Sequence, residues 1–299
     1  MKTQLSLFKI KKKYLFNFFE NYTKKELIEF AIKMIETELY CYPSLGLVSF
    51  KDSGCHLDMN FKTFLKSKNT FYLFFYKIFD LAKNKKNLNF EKLRNISINQ
   101  EKRMFKITKN INTHKGLIFS FGIIFYIASY SLINKISFYS WSELIKNFVK
   151  PLEKDFLLFN NKTKGEQIFN KYNIKGARGE ALNGYKNVFN KGIPFIKKCL
   201  KKYPNLKKKD IYLCLLIFYL KKIDDTTLIS KIGYTKTKKI KKKAKILINN
   251  LITKNFYFFK KKIMIKNEYF KKEKISPGGC ADLCVITLFL FFLYSFDHN

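Results

Sequence analysis

The feature that most constrains the fold of this chain is an uncharged stretch of 18 residues, GLIFSFGIIFYIASYSLI, from Gly116 to Ile133. A helix of that length and composition reaches the lower limit for crossing a bilayer. The same pattern is typical of a helix that is buried all round inside a helical domain. Ser120 and Ala128 are small enough to let neighbouring helices pack closely against it. We therefore predict a central buried helix and no association with a membrane.

Most of the remaining sequence also has the periodicity of helices. Thr23 and Glu26 form a capping box ahead of a helical pattern, which Pro43 ends. Ser140 and Thr163 each stand three residues before a glutamate, so they predict two more capping boxes. The other predicted N-caps are Asp58, Thr113 and Ser276, with Pro277 in the first turn of the last helix.

Alternating strand patterns are scarce, and the one short hairpin that we predict is NFYFFKKKIMIK, residues 255–266. The chain has 299 residues and 47% apolar content, which is enough to bury a sizeable core. The sequence therefore predicts an all-α fold, with a single helical catalytic domain over residues 23–299 after a variable basic segment, residues 1–22. We expect its functional site to be built from loop-to-helix junctions.

The formal net charge of +37 favours nucleic acid, an anionic membrane or a polyphosphate as a partner. Only Arg94, Arg103 and Arg178 are arginines, so nearly all the cations are lysines. Lysine, asparagine, isoleucine and phenylalanine have AT-rich codons, and the lysines are spread along the whole chain. We therefore interpret most of the charge as compositional drift on solvated faces, and we predict no nucleic-acid partner because no recognition module is evident.

Six cysteines are present, and no pair of them has the C-x-x-C spacing of a zinc or redox site. We expect all six to be reduced thiols, as in a cytoplasmic protein. The apolar stretch at the N-terminus is too short for a signal peptide, which also favours the cytoplasm.

Glycine is the most informative residue in a sequence whose composition favours AT-rich codons. Helix N-termini present unpaired N–H groups and a partial positive charge, and glycine lets a ligand approach the backbone closely. Several such helix ends that face one cleft would bind an anion such as phosphate. The glycines cluster at loop-to-helix junctions, namely Gly46 and Gly54, Gly116, Gly176, Gly179 and Gly184, and Gly278 and Gly279.

The stretch SPGGCAD shows this pattern at the start of the last helix. Ser276 can cap the helix, and Gly278 and Gly279 leave its first turn bare for a phosphate. Asp282 could then face a cation or a ligand hydroxyl. The structural alternative is a plain N-cap whose glycines pack against another helix.

Four other stretches combine glycine or carboxylates with polar side chains, and each has a structural alternative. Arg178 lies between glycines and can bind a phosphate through two parallel bonds, or it can pair with Glu180. Asp224 and Asp225 suit Mg²⁺ held together with phosphate oxygens, or they mark a helix end followed by an N-cap. The remaining two stretches, NTHKG and DSGCHLD, contribute histidines, a lysine and carboxylates to the candidate site. Alternatively, their loop histidines are simply solvated. The candidate residues of these two stretches are Asn112, His114, Lys115, Ser53, His56 and Asp58.

Taken in order, these stretches resemble one family, the triphosphoribosyl-dephospho-CoA synthases of citrate lyase and malonate decarboxylase maturation. The resemblance extends from about Glu38 to Leu290, and its joint order and spacing are more specific than any single motif. The matching segments are YPSLGLVSFKDSGCHLDM, NTHKG, TKGEQIFNKYNIKGARGEALNGY, IDDT and SPGGCADL.

The chain departs from the family pattern at two places. Leu45 stands where the family usually has proline before Gly46. After IDDT the family continues towards a His-Arg-Gly-Gly run, whereas this chain has Ser230, Lys231 and Ile232. No role of that histidine or arginine is therefore carried over.

The resemblance implies an all-α transferase that joins ATP and 3′-dephospho-CoA with release of adenine, and that uses Mg²⁺. Its product would be the prosthetic-group precursor for the acyl carrier protein of a citrate lyase or malonate decarboxylase, passed on by a downstream transferase. The implied catalytic residues are Asp225 or Glu180 as base and His114 as proton donor, and Asp58, Asp224 and Asp282 are metal or ribose ligands. The implied substrate- and phosphate-binding residues are Asn112, Lys115, Gly116, Arg178, Gly179, Ser276, Gly278, Gly279, Gly46, Ser53, Gly54 and His56.

Two other classes of function remain open from the sequence. One is a different nucleotide-using helical enzyme, such as a hydrolase, which would release phosphate rather than adenine. The other is a basic protein that binds nucleic acid or a membrane surface, for which the glycine motifs would be irrelevant. The oligomeric state is also left open.

Overall fold

The computed structural model describes residues 23–83, 87–158 and 163–295, and these residues form helices and connecting loops without a strand. The all-α prediction is therefore confirmed, whereas the segment 1–22 lies outside the described residues. The α-helices are α1 (Lys24–Leu39), α2 (Phe61–Asn69), α3 (Phe71–Lys83), α4 (Phe90–Ile107), α5 (Lys115–Ile133), α6 (Trp141–Phe148), α7 (Lys164–Tyr172), α8 (Gly176–Leu182), α9 (Ile193–Lys202), α10 (Lys208–Lys222), α11 (Thr226–Ile232), α12 (Tyr234–Thr253), α13 (Phe256–Lys272) and α14 (Gly278–Ser295). Two 3-10 segments (Phe138–Ser140 and Lys150–Leu158) and a π-helical segment (Val188–Gly192) join them.

Helix α5 forms the centre of the molecule, with α3, α4, α6 and α14 packed around it. By length and composition it is the one helix of the described residues that could cross a membrane, yet 72% of its apolar window is buried against the rest of the protein. The prediction of a central buried helix is therefore confirmed.

Helix α14 is the second core helix, and it packs against α1, α5 and α10. The Phe289 ring contacts Phe121 of α5 at 5.0 Å between centroids and Phe30 of α1 at 5.6 Å. Both α5 and α14 are apolar on every side because both are enclosed by other helices. Their N-terminal ends meet at the functional site described below.

Some of the sequence-predicted caps are present. Thr23 and Thr163 form complete capping boxes with Glu26 and Glu166, and they begin α1 and α7. These caps depend only on residues that are three apart, so the local sequence is sufficient to predict them.

Other predicted caps are wrong. The N-cap of α2 is Asn60 and not Asp58, and the predicted single helix there is divided at Thr70 into α2 and α3. Thr113 does not cap α5, because its hydroxyl donates to the Ser67 hydroxyl of another helix instead. Ser140 is the N-cap residue of α6, but its side chain makes no cap hydrogen bond, so the predicted capping box is absent.

The predicted hairpin at residues 255–266 is also wrong, because this segment forms most of α13. Asn255 caps the helix through the N–H of Phe258. The buried residues of α13 are Phe259, Ile263, Asn267 and Phe270, which recur at helical spacing and not at every second position. Burial of that one face overrides the local strand propensity of the aromatic and β-branched residues.

All six cysteines are free thiols, as predicted, and five of them are buried. The most exposed of the six, Cys55, lies in the loop between α1 and α2.

Candidate active site

A cavity of about 350 Å³ opens where the N-terminal ends of four helices, α5, α8, α11 and α14, come together. This volume lies within the range of small-molecule sites. The walls are the first turns of α5 and α14, the segment 173–183 that includes α8, and the segment 223–227 that leads into α11. Each of these segments contains one of the glycine or carboxylate motifs that the sequence singles out.

Four carboxylates line the cavity, namely Glu180, Asp224, Asp225 and Asp282. Lys175 also lines it, and Lys241 reaches Asp224 from outside at 2.5 Å. Asp224 is 41% exposed, so its ion pair marks the mouth, whereas Asp225 and Asp282 lie deep. The cavity therefore has a mouth with lysines and an inner end with carboxylates.

Asp225 holds two helix starts together. It is the N-cap of α11, where its Oδ1 accepts the N–H of Leu228 at 3.0 Å, and its Oδ2 accepts the N–H of Cys280 in the first turn of α14 at 2.8 Å. Burial raises the pKa of Asp225, and these N–H groups act in the opposite direction. The anion at the start of α14 is therefore the protein's own carboxylate.

The double glycine of SPGGCAD packs against the segment around Asp225. A Cβ on Gly279 would lie 3.0 Å from Asp225 Oδ1, and a Cβ on Gly278 would lie 3.3 Å from Thr227. Helix α14 begins at Gly278, one residue after the predicted first residue Pro277, and the Ser276 hydroxyl contacts His56. Both glycines therefore allow the start of α14 to pack closely against the segment around Asp225, which is the structural alternative to a phosphate site.

Asp282 is one turn into α14, and its carboxylate lies directly against the start of α5. A Cβ on Gly116 would come within 2.1 Å of Asp282 Oδ2, so only glycine allows this approach. Among the described residues Asp282 has no hydrogen-bond or ion-pair partner. Burial, followed by the charges of Glu38 and Asp225, raises the pKa of Asp282 well above its usual value.

Glu180 comes from α8 on the opposite wall. Its Oε1 accepts a hydrogen bond from Asn187 Nδ2 at 2.6 Å, and burial raises the pKa of Glu180. The neighbouring Gly179 is required by close packing, since a Cβ there would lie 2.4 Å from Lys175 Cβ. Glu180 is thus held in place by a neutral amide and remains able to exchange a proton.

Arg178 pairs with a carboxylate other than Glu180, the ion-pair partner that the sequence suggests. Its Nε lies 3.5 Å from Asp155, which also accepts two hydrogen bonds from Arg94, and Glu180 is bonded to Asn187. Arg178 itself does not line the cavity. This ion-pair group fastens α8 to α4 and the 3-10 segment.

The second predicted histidine motif lies beside the start of α14, outside the cavity lining. His56 Nε2 is 3.0 Å from Ser276 Oγ, and its Nδ1 is 3.8 Å from Asp58 Oδ1. Burial and the Lys231 ammonium lower the pKa of His56 to about 4, so the ring is neutral at pH 7. The loop that carries it is shaped by Gly46 and Gly54 at positive φ and by the Ser53 carbonyl, which accepts the His56 N–H.

The motif NTHKG forms the start of α5, but only Gly116 of this motif lines the cavity. His114 is buried, with Nδ1 2.7 Å from Ser67 Oγ and its ring between Phe64 and Phe71. Burial lowers the pKa of His114 to about 3. Asn112 accepts the N–H of Lys115, which pairs with Glu101 at 3.1 Å.

Residues that sequence reasoning missed are Lys175, Ser120, Asn187 and Lys241, which line the cavity or bond to groups that do. Lys175 and Asn187 flank the GARGEALNG motif, so widening that motif by a few residues would have found them. Lys241 belongs to a lysine-rich helix, and no local signal separates it from its neighbours. No group of three or more metal-ligating side chains occurs among the described residues.

The structure is therefore that of an all-α protein with a cavity that is lined by carboxylates and lies where several helices begin. A family model described as ATP:dephospho-CoA triphosphoribosyl transferase matches residues 24–298. The chain therefore belongs to that family, and it is a triphosphoribosyl-dephospho-CoA synthase by class and a transferase, as the resemblance implied.

Relatives of the chain agree with this family. A probable 2-(5''-triphosphoribosyl)-3'-dephosphocoenzyme-A synthase of Streptococcus equi subsp. zooepidemicus (strain MGCS10565) is 33% identical over 294 residues, which cover 91% of this chain and 98% of the relative. A protein of the same name from Streptococcus mutans serotype c is 31% identical over 292 residues, which cover 88% and 94% respectively. No solved structure matches the chain.

Proposed function

We propose that the cavity between the starts of α5, α8, α11 and α14 is where the triphosphoribosyl group of ATP is transferred to 3′-dephospho-CoA. The observation that carries this proposal is the polarity of the cavity. Its mouth combines Asp224 with Lys241 and Lys175. Its inner end contains Asp282, which has no hydrogen-bond partner among the described residues, and Glu180, whose partner is the neutral amide of Asn187. The mouth suits phosphates, and the inner end suits proton transfer at a ribose.

The reaction needs one proton acceptor and one proton donor. The 2′-hydroxyl of dephospho-CoA attacks the anomeric carbon of ATP, its proton passes to Glu180, a C–O bond forms and the C–N bond to adenine breaks. The transition state resembles an oxocarbenium ion, as in glycoside hydrolysis. Asp282, whose pKa burial raises well above its usual value, gives its proton to the departing adenine, and the carboxylate that remains faces the positive charge on the ribose.

This assignment replaces two of the roles that the resemblance implied. Both oxygens of Asp225 accept backbone N–H groups, so its role in this proposal is to join α11 and α14. His114 is neutral, does not line the cavity and is enclosed by phenylalanine rings, so its role is to build the start of α5.

Mg²⁺ would enter with the triphosphate at the mouth. Mg²⁺ usually binds one or two carboxylates together with substrate phosphates and water, and does not need a cage of protein ligands. Asp224 is the exposed carboxylate of the cavity, and Lys241 and Lys175 are close enough to neutralise phosphate oxygens there. The retained triphosphate is thereby kept away from the carboxylates of the inner end.

The product would be 2'-(5''-triphosphoribosyl)-3'-dephospho-CoA, the precursor of a lyase prosthetic group. In the cytoplasm, a downstream transferase would attach that group to the acyl carrier protein of a citrate lyase or a malonate decarboxylase. The proposal includes no nucleic acid and no membrane as partner.

The test is to incubate the full-length protein with ATP, 3′-dephospho-CoA and Mg²⁺ and to separate the products by chromatography. We expect free adenine in amounts equal to the new CoA derivative, and little adenine from either substrate alone. Asp282→Asn and Glu180→Gln should each lower kcat by a factor of 100 or more, on the order of general acid–base contributions, while Glu143→Gln on the exposed face of α6 should not. Phosphate or pyrophosphate as the main product would instead indicate a hydrolase.

A further inference from the structure

Ser120 of α5 lines the cavity, and the proposed reaction gives it no role. Its side chain is 2% exposed, so among the described residues it is the uncharged polar group of the lining that lies deepest. The other uncharged polar side chains of the lining are exposed or half-buried, namely Asn173, Asn183, Thr226 and Thr227. Those four lie towards the mouth, whereas Ser120 lies at the inner end.

The direction in which Ser120 faces follows from the geometry of α5. Ser120 comes four residues after Gly116, so the two residues share one face of the helix. That face is turned towards Asp282, because a Cβ on Gly116 would come within 2.1 Å of Asp282 Oδ2. Ser120 lies about 6 Å further along the helix axis, and its side chain leans back towards the helix N-terminus. Its hydroxyl therefore belongs to the part of the α5 wall that adjoins Asp282.

The α5 wall lies between the two walls that carry the proposed acid and base. Helix α5 packs against α14, which carries Asp282, and against α8, which carries Glu180. In the proposed reaction the anomeric carbon of ATP lies between these two carboxyl groups. The 2′-hydroxyl of the ATP ribose is attached to the next carbon, so it is the sugar hydroxyl closest to the reacting bond. Ser120 is thus on the wall that this hydroxyl would meet.

We propose that the Ser120 hydroxyl binds the 2′-hydroxyl of the ATP ribose and holds the sugar while adenine leaves. This inference rests on the proposed function, because it takes ATP as the donor of the ribose. A serine hydroxyl has one donor and two acceptor sites. Burial raises the pKa of the Tyr185 phenol and a hydrogen bond to Ser120 opposes that rise, which uses one of these sites. The remaining sites can bind a substrate.

An uncharged hydroxyl suits the inner end of the cavity, where Asp282 and Glu180 exchange protons in the proposed reaction. A lysine at this position would stabilise the charged forms of both carboxyl groups, whereas a serine binds a sugar without adding a charge. Hydrogen bonds to the sugar 2-hydroxyl strengthen in an oxocarbenium-like transition state, so Ser120 should affect turnover more than substrate binding. A site built to bond a hydroxyl also rejects the analogue that lacks it, so Ser120 would favour ATP over 2′-deoxy-ATP.

Ser120→Ala tests the proposal, because it removes the hydroxyl and leaves a residue that favours helix. With ATP and 3′-dephospho-CoA we expect kcat to fall about ten-fold, as for the loss of one hydrogen bond in the transition state, and the KM for ATP to stay close to wild type. With 2′-deoxy-ATP in place of ATP, wild type and variant should release adenine at rates that agree within about two-fold, because the group that Ser120 binds is absent. Enzyme in excess over nucleotide keeps slow release measurable.

Ser129→Ala is the matched control, since Ser129 is a buried serine of the same helix that does not line the cavity. It should leave the rates with both nucleotides unchanged, and both variants should keep a thermal midpoint close to wild type. Wild-type kcat in Ser120→Ala with ATP would overturn the proposal. An equal fall with ATP and 2′-deoxy-ATP would also overturn it, because that result indicates a packing role. Absence of adenine from the wild-type enzyme with ATP would instead refute the proposed function itself.

Discussion

The starts of α5 and α14 face the same cavity, and both have a glycine where a carboxylate approaches the backbone. At α14 the carboxylate is Asp225, and both its oxygens accept backbone N–H groups. At α5 the carboxylate is Asp282, which lies against Gly116 and has no hydrogen bond among the described residues. One start is thus completed by the protein itself, and the other keeps a carboxylate available for chemistry.

This difference shows what a glycine at a helix start does and does not predict. It predicts that an oxygen comes close to the backbone, because a side chain would block the approach. It does not predict whether the oxygen belongs to a substrate phosphate or to a side chain from elsewhere in the chain. The first four N–H groups of any helix are unpaired, and a carboxylate satisfies them as well as a phosphate does.

The largest expected effect comes from removing the carboxylate at the α14 start. Asp225→Ala leaves the N–H groups of Leu228 and Cys280 buried without partners, each at a cost of about 1–3 kcal/mol. We therefore expect the free energy of unfolding, measured with denaturant, to fall by about 2–5 kcal/mol. Asp225→Asn keeps one hydrogen-bond acceptor, so its free energy of unfolding should fall clearly less. Equal stability of wild type and Asp225→Ala would show that the two helix starts do not depend on this carboxylate.

His114 at the start of α5 should make the stability of the protein depend on pH. Its folded pKa of about 3 lies below the usual value of 6.5, so the unfolded chain takes up a proton first as the pH falls. The stability that this residue contributes is present above pH 6.5 and is lost as the pH decreases towards 3. Between pH 7 and 4.5 we expect a loss of about 2–3 kcal/mol from this group.

His114→Gln isolates that contribution from the other titrating groups. Glu38, whose pKa burial raises to about 7, acts in the opposite direction, because its contribution to stability is lost as the pH rises above 4.5. The measurement is therefore the difference in unfolding free energy between pH 7 and 4.5, compared in wild type and variant. An identical pH dependence of the two proteins would contradict a buried neutral His114.

A smaller effect on stability, with a large effect on turnover, is expected from Gly116→Ala. The new Cβ would lie 2.1 Å from Asp282 Oδ2, but that oxygen ends a side chain that can rotate away. We expect a loss of about 1–2 kcal/mol in stability and a fall in kcat approaching that of Asp282→Asn. Gly165→Ala in α7 is the matched control, because its nearest heavy atom is 3.9 Å away. Wild-type turnover in Gly116→Ala would show that Asp282 takes no part in catalysis.

The sequence predicts those parts of the fold and site that depend on local order. The capping boxes at Thr23 and Thr163 and the uncharged core helix depend on residues within one helix, and all three are confirmed. Three of the four glycine clusters contribute a glycine to one cavity, whereas Gly46 and Gly54 lie outside its lining. The family resemblance rests on the order of these motifs along the chain.

What the sequence does not predict are contacts between residues far apart in the chain. Thr113 bonds to Ser67, Arg178 pairs with Asp155, and Asp225 accepts the N–H of Cys280. Each of these partners is fixed by tertiary packing, which a rule based on neighbouring residues in the sequence does not describe. The predicted hairpin is wrong for the same reason, since the partner that buries one face of α13 decides between helix and strand.

The smallest expected effect is that of Gly279→Ala at the α14 start. Alanine is more favourable than glycine inside a helix by about 0.5–1 kcal/mol. The added Cβ would lie 3.0–3.3 Å from the atoms of the Asp225 carboxylate, so that group must shift by a few tenths of an ångström. These effects oppose one another, and we expect the free energy of unfolding to stay within about 1 kcal/mol of wild type. The KM for ATP should also be unchanged, because Asp225 already accepts the N–H of Cys280. A raised KM for ATP with full stability would show that a substrate phosphate uses this turn, and the two helix starts would then bind substrate alike.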